Sequence, residues 1–122
     1  MTAEEQLVRR YFDAFNRHDI EGVMECFHAS PRTIDAEGHT FEGRAEVRGY
    51  YESGFALLPD GQCDLKTCTG SHGHALAESV FHGTRSRDGR SIKAIGAEVI
   101  EVVEGRIKEI RDYHRPLMTA AA

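Results

Sequence analysis

The sequence predicts an α+β fold in which three helices come first and a meander of long strands follows. Up to residue 57, apolar residues recur at spacings of three and four, which is typical of amphipathic helices. From Cys63 onward, apolar and polar residues alternate, which is typical of strands. Helices that pack on the concave face of a strongly curved antiparallel sheet leave a pocket between them. We therefore expect a cone-like α+β barrel with an interior pocket.

The three predicted helices fill most of the first half. Residues 4–17 carry Leu7 and Tyr11 on one apolar face. Asp19 can cap a second, short helix, which Pro31 ends. An extended piece over 32–35 and a turn at Gly38 precede a third helix, over residues 44–57.

Four strands are predicted in the second half, and turn residues separate them. The alternating segments are residues 63–71, 74–86, 91–103 and 106–115. Asp88-Gly89 is a typical hairpin turn, and Glu104-Gly105 marks the next one.

Length and composition bound the kind of protein. A chain of 122 residues predicts a single domain over 1–122, with 118–122 frayed. A net charge of −5 argues against nucleic acid or an anionic membrane as the main partner, since both require a basic face. Apolar runs are far shorter than the ~18 residues of a membrane span, and the N-terminus does not resemble a signal peptide. Three cysteines are an odd number, which fits a reducing compartment, so we expect a cytoplasmic protein.

Two patterns bring ionisable residues to places where a strand normally carries apolar ones. Asp112 and His114 share a strand face with Ile110, which puts a candidate base beside an ionisable partner. An exposed, charged edge explains this pattern equally well. Asp35 closes a short extended piece, where it is either a base or a residue that stabilises its own turn.

Other residue types point away from cofactor chemistry. His72, His74 and His82 do not complete a spacing known for metal sites, so we expect no metal. Neither a nucleotide-binding glycine motif nor a nucleophile elbow occurs, so we expect no cofactor. Tyr11 and Tyr51 lie on apolar helix faces, where most tyrosines belong to the core.

Several segments together carry a resemblance to a known family. They are Arg10-Tyr11-Phe12-Asp13, Asp19-Ile20-Glu21, Thr33-Ile34-Asp35, Gly38, Gly43-Arg44, Tyr50-Tyr51 and Glu104-Gly105-Arg106-Ile107-Lys108-Glu109. In this order they resemble the nuclear transport factor 2-like superfamily. Within it, the chain looks most similar to the ketosteroid isomerases and the SnoaL-like polyketide cyclases.

The resemblance implies four catalytic residues. Asp35 matches the isomerase carboxylate that moves a proton beside a carbonyl, and Tyr11 matches the tyrosine that donates to the enolate oxygen. Asp112 matches the acid/base aspartate of the cyclases, and His114 takes a position that is a pocket aromatic in isomerases. Tyr51 matches a tyrosine that supports Tyr11. The predicted substrate-binding residues are Tyr51, Phe27, Phe55, Val80, His82 and Ile110.

The chain also departs from the family pattern. The protonated acid that supplies a second oxyanion donor in isomerases falls near Ala97, and the nearest acid, Glu98, has the opposite strand parity. Phe27 replaces another supporting tyrosine. Ile110-Arg111 stand before Asp112, where the cyclases have a His-Trp pair.

These observations predict a cofactor-independent acid/base enzyme for a small, largely apolar ketone. Enolisation would lead to isomerisation or to aldol-type cyclisation. One alternative is a dehydratase of a β-hydroxy ketone in which His82 and His114 act with Asp35. Another is a non-catalytic module for ligand binding or dimerisation. The resemblance further implies a homodimer formed through the outer sheet face.

Overall fold

Three helices and seven strands make up residues 1–117, the part of the chain that the computed structural model describes. The prediction for residues 118–122 lies outside this part. The strands are β1 (Phe27–Ile34), β2 (Thr40–Glu42), β3 (Gln62–Ser71), β4 (His74–Thr84), β5 (Ser91–Val103), β6 (Arg106–Asp112) and β7 (Arg115–Pro116). They form one sheet in the order β2-β1-β6-β5-β4-β3, with β7 beside β5.

Two of the three helices, α1 and α2, begin at side chains that cap them. Helix α1 (Ala3–Asn16) opens with a capping box, in which Thr2 accepts from the Glu5 backbone and Glu5 accepts from the Thr2 backbone. Helix α2 (Ile20–Glu25) begins at Asp19, as predicted, and helix α3 (Gly43–Leu57) covers the predicted segment. In residues 1–117, no helix is both long and apolar enough to cross a membrane.

The predicted α+β class and the curved sheet under three helices are confirmed, with one correction to the pairing. The sheet is mixed rather than antiparallel, because β1 runs parallel to β6. It is also open and not a closed barrel. The α1 and α3 faces cover its concave side, and Val8, Val47 and Ile100 are fully buried between the layers.

The region around Pro31 differs from the prediction. The second helix ends at Glu25, and residues 27–34 are already strand β1. Pro31 is tolerated inside this strand because the ladder between β1 and β6 shifts register between Phe27 and Arg32. A residue that lacks an N–H is acceptable at such an irregularity.

A glycine in β5 lets the chain cross over the sheet between β6 and β7. The Tyr113 N–H donates to the Ala97 carbonyl at 2.8 Å, so residues 113–114 lie directly against β5. A Cβ on Gly96 would stand 2.5 Å from the Cα of His114. The missing side chain of Gly96 therefore determines where His114 enters the concave side of the sheet.

The outer face of the sheet carries partly exposed apolar residues. Leu76 on β4 is 43% exposed, and it pairs with Val99 on β5. The homodimer through this face stays a prediction.

Candidate active site

A cavity of about 260 Å³ lies between the helices and the concave face of the sheet. One wall is aromatic, and its rings contact one another edge to face at centroid distances near 6 Å. The wall consists of Phe15, Tyr50, Tyr51, Phe55 and Phe81. Apolar walls of this kind exclude water and strengthen any electrostatic interaction inside the cavity.

The facing wall is ionisable, and the sheet register brings its residues together. Glu98 on β5 lies directly opposite Asp112 on β6, and both line the cavity with His114. Glu98 is 7% exposed. Two acidic side chains at opposing positions of neighbouring strands repel each other unless a cation or a proton lies between them.

His114 supplies the positive charge at this position. Its Nδ1 lies 2.6 Å from Oδ1 of Asp112 and 3.6 Å from Oε1 of Glu98. Its Nε2 lies 2.8 Å from the Ser79 hydroxyl, which donates to the Glu98 carboxylate at 2.9 Å. Because a hydroxyl has one hydrogen, Ser79 accepts from Nε2, and both ring nitrogens of His114 act as donors. The chain of bonds therefore fits an imidazolium between two carboxyl groups.

Burial and charge shift the pKa values of this cluster. Burial is the main cause that raises the pKa of Glu98 to about 7, while His114 and the Ser79 hydroxyl act against it. Burial alone would lower the pKa of His114, but its bonds to Asp112 and Cys63 and the charge of Glu98 raise it to about 10. Near neutral pH, Glu98 thus exchanges a proton readily while His114 stays charged.

Two tyrosines on the helix side form a pair inside the cavity. The hydroxyls of Tyr11 and Tyr51 lie 2.6 Å apart. Burial raises the pKa of both phenols well above the ordinary value, so both stay neutral. One of the two hydroxyls donates its hydrogen to the other, so the hydrogen of the accepting hydroxyl can be donated to a ligand.

The cavity brings together six of the ten residues that the sequence predicted for the site. They are Tyr11, Tyr51, Phe55, Ile110, Asp112 and His114. Their chemical roles stay predictions.

Asp35 does not line the cavity, because its carboxylate is used in a turn. It accepts from the backbone N–H groups of Glu37 and His39, and its second oxygen lies 3.1 Å from the His39 ring. Burial raises its pKa, but the bonds from His39 and Glu37 outweigh this effect and lower it overall. A carboxylate with a lowered pKa is a weak base, so the structure favours the turn interpretation.

Three predicted binding residues also lie outside the cavity lining. Phe27 is buried in the core against the Tyr11 and Tyr51 rings. Val80 and His82 point to the outer face of β4, where His82 lies 3.3 Å from Asp64. The inward residues of this strand are Ala75, Ala77 and Ser79, so the alternation turns Val80 and His82 away from the cavity.

Sequence reasoning missed Glu98 as a cavity residue because the resemblance placed the second donor near Ala97, and it missed the position of Glu98 opposite Asp112 because of a bulge. Counting back from the Glu104-Gly105 turn pairs Val103 with Arg106 and would place Arg111 opposite Glu98. A register shift after Val102 moves the partner to Asp112 instead. Such a shift leaves little trace in the alternation of residues.

A sulfur atom completes a set of potential metal ligands. Single ligand atoms of Cys63, Glu98 and His114 lie within 4.8 Å of one another. Thiolate, imidazole and carboxylate together suit a metal such as zinc. Both nitrogens of His114 are occupied by hydrogen bonds and its pKa is raised, so a metal would have to displace a proton there.

Comparison with known proteins identifies the family to which this chain belongs. Residues 8–110 match the SnoaL-like domain family. The chain belongs to this family. The predicted resemblance to the nuclear transport factor 2-like superfamily and its SnoaL-like branch is thereby confirmed.

Several solved structures share the fold of this chain. An NTF2-like protein of unknown function from Burkholderia pseudomallei has 19% identity and a TM-score of 0.83, over 96% of this chain and 92% of its own. A putative SnoaL-like polyketide cyclase from Jannaschia has 14% identity and a TM-score of 0.82, over 93% and 85%. TerC, co-crystallised with polyporic acid, has 14% identity and a TM-score of 0.79, over 90% and 89%. No curated protein sequence matches this chain significantly.

The raised pKa of Glu98 predicts how the stability of this SnoaL-like domain depends on pH. The pKa of Glu98 is about 7 in the folded protein and 4.5 in the unfolded chain. The stability that this pKa difference contributes is therefore present in full below pH 4.5 and is lost as the pH rises through 7. Relative to Glu98→Gln, we expect the unfolding free energy of the wild-type protein to fall by about 3 kcal/mol between pH 4 and pH 8. Urea denaturation across this range measures the difference. Glu78→Gln, at an exposed position of β4, is the matched control. A difference in unfolding free energy between wild type and Glu98→Gln that does not change with pH would contradict the expectation.

Proposed function

We propose that this chain transfers a proton at the carbon beside a ketone carbonyl of a small, largely apolar substrate. The enolate then leads to isomerisation or to aldol-type cyclisation. The observation that carries the proposal is Glu98, a carboxyl group with a pKa of about 7 in an apolar cavity. A general base is most effective when its pKa lies near the working pH.

Glu98 is the proposed base. Its ionised carboxylate takes the proton from the α-carbon, the C–H electron pair moves into the carbon–carbon bond, and the carbonyl π pair moves to oxygen. For isomerisation, Glu98 returns the proton to a different carbon. For cyclisation, the enolate carbon attacks a second carbonyl of the same molecule, and the new alkoxide takes the proton.

The Tyr11–Tyr51 pair is the proposed donor to the developing enolate oxygen. One hydroxyl hydrogen of the pair remains free for a ligand. The phenols stay neutral because their pKa values are raised. A fixed donor in a water-poor cavity stabilises an oxyanion by several kcal/mol, on the order of 3 for one donor.

The proposed role of Asp112 is to position His114. Its carboxylate accepts from both the backbone N–H and Nδ1 of His114. This holds the imidazolium 3.6 Å from Glu98, where its charge lowers the pKa of that carboxyl group and offsets the cost of burial. His114 thus keeps Glu98 ionisable at neutral pH.

A pair of aspartate variants tests the proposal. The assay is deuterium incorporation and double-bond migration in a small β,γ-unsaturated cyclic ketone in D₂O, followed by NMR. We expect Asp112→Asn to lower the rate ~10- to 100-fold, at or below the lower end of what a general base contributes. Asp35→Asn should change it less than twofold, because that carboxylate serves a turn. A loss for Asp35→Asn that equals the loss for Asp112→Asn would instead support Asp35 as the base.

A second candidate function is ligand binding without catalysis. It is favoured by the way in which Ser79, Glu98, Asp112 and His114 satisfy one another. This function would be supported if the protein binds a small ketone tightly but does not accelerate deuterium exchange at its α-carbon over the rate in buffer. The dehydratase alternative has less support, because neither His82 nor Asp35 lines the cavity with His114.

A further inference from the structure

One hydroxyl in the cavity lacks a partner. The Oγ1 of Thr33 is buried without a hydrogen bond to any residue of the described range 1–117. Thr33 is 2% exposed and lines the cavity. Nearly all buried polar side chains in proteins are paired, so an unpaired one that lines a cavity indicates a missing ligand group or water.

The sheet places this hydroxyl where a ligand can meet it. Thr33 lies opposite Phe41 on β2 and opposite Ile110 on β6, so the three side chains share the concave face. Both neighbours are apolar. Since neither can pair with the hydroxyl, Thr33 costs stability in the empty cavity that a ligand would restore.

Tyr50, on helix α3, provides a second hydroxyl donor to the same cavity. The Tyr50 ring packs on Phe41 at a centroid distance of 4.7 Å and lines the same cavity. No hydrogen bond ties its hydroxyl to another residue of the described range. Burial, followed by the negative charges of Asp112, Asp35 and Glu98, raises the pKa of this phenol, so Tyr50 stays a neutral donor.

We infer that Thr33 and Tyr50 form a subsite for a second oxygen of the ligand, separate from the Tyr11–Tyr51 pair. The ligand therefore carries two oxygen functions, as a diketone or a hydroxy ketone does. One is the reacting carbonyl, an assignment that rests on the proposed function, and the other binds between Thr33 and Tyr50. The subsite selects such compounds against simple ketones, since those leave the buried Thr33 hydroxyl unpaired.

The test compares ring compounds with one and two hydroxyl groups. The probes are 2-naphthol and a set of dihydroxynaphthalene isomers, with binding followed by their fluorescence. We expect the wild-type protein to prefer at least one dihydroxy isomer, and Thr33→Val to reduce that preference ~3- to 10-fold, as the loss of one hydrogen bond predicts. The affinity for 2-naphthol should change less than twofold. Tyr50→Phe should reduce the preference similarly.

Stability gives a second, independent readout. Thr33→Val keeps the side-chain shape and removes the unpaired hydroxyl, so it should raise the Tm of the probe-free protein while weakening dihydroxy binding. A threonine that only supports the fold would not produce this opposite pair of changes. Thr69→Val and Tyr113→Phe, at exposed positions, are the controls and should leave the preference unchanged.

The outcomes separate the subsite from the reaction. If Thr33→Val keeps the wild-type preference, or if no probe binds the wild-type protein, the subsite is overturned. Proton exchange on a simple ketone decides the proposed function on its own, since that substrate has no second oxygen. If the wild-type protein does not exchange the α-proton of a simple ketone but prefers a dihydroxy isomer, and Thr33→Val reduces that preference, the proposed function is overturned and the subsite is supported.

Discussion

Replacing Glu98 by Gln lowers the rate of α-proton exchange ~10²- to 10⁴-fold, the range that general acid–base catalysis contributes. Glutamine keeps the size of the side chain and can still accept from the Ser79 hydroxyl. It cannot take a proton from carbon. The loss should therefore fall on kcat, while the affinity for 2-naphthol stays within a few-fold of wild type.

The pH profile gives this prediction a second signature. With Glu98 as base and His114 as imidazolium, kcat/KM for the wild-type protein should rise with a midpoint near pH 7 and fall with a midpoint near pH 10. In Glu98→Gln, the residual activity should lose the midpoint near 7. Glu78→Gln, on the outer face, should keep the wild-type profile. Unchanged exchange in Glu98→Gln would remove Glu98 from the mechanism.

Adding one methyl group at Gly96 should destabilise the protein and disorganise the site together. The new Cβ would stand 2.5 Å from the Cα and 2.9 Å from the N of His114, and backbone atoms cannot move aside cheaply. Overpacking of this kind costs about 3 kcal/mol. Residues 113–114 would have to lift from β5, which moves His114 away from Glu98. We expect Gly96→Ala to lower the unfolding free energy by about that amount.

The change at the site can be separated from general destabilisation. In Gly96→Ala, the exchange rate measured well below the melting temperature should fall at least ~10-fold, because the imidazolium no longer faces Glu98. Gly49→Ala is the matched control, since nothing lies within 4 Å of a Cβ at this helical position. It should raise stability by up to ~1 kcal/mol and leave the exchange rate unchanged. A Gly96→Ala protein with wild-type stability would contradict the close packing of residues 113–114 on β5.

The periodicity of apolar residues was sufficient to predict the helices and most strands. Asp19 as a cap and the helix over residues 44–57 depend on local chemistry, which is readable from neighbours in the chain. The parallel pairing of β1 with β6 was not readable, because it joins residues about 80 positions apart. Pro31 was misjudged for the same reason, since only the partner strand shows that the ladder is interrupted there.

Site residues were predictable where they share one face of a single helix or strand. Contacts that depend on the pairing between two strands were not predictable. Asp112 and His114 follow from alternation within one segment, and Tyr11 and Tyr51 from helix faces. The position of Glu98 opposite Asp112 was hidden by a one-residue register shift. Thr33 gave no signal, because an unpaired hydroxyl is recognisable only once its neighbours in space are known.

The most direct test of the account is an NMR titration of the Glu98 side chain. Protein labelled with ¹³C at the glutamate carboxyl carbon is titrated from pH 3 to pH 10, and the Glu98 signal is assigned by its absence in Glu98→Gln. A midpoint near pH 7 is the predicted result, since burial raises this pKa. A midpoint near 4.5 would show a carboxylate that is already ionised and solvated, and would contradict a role for this cavity in proton transfer.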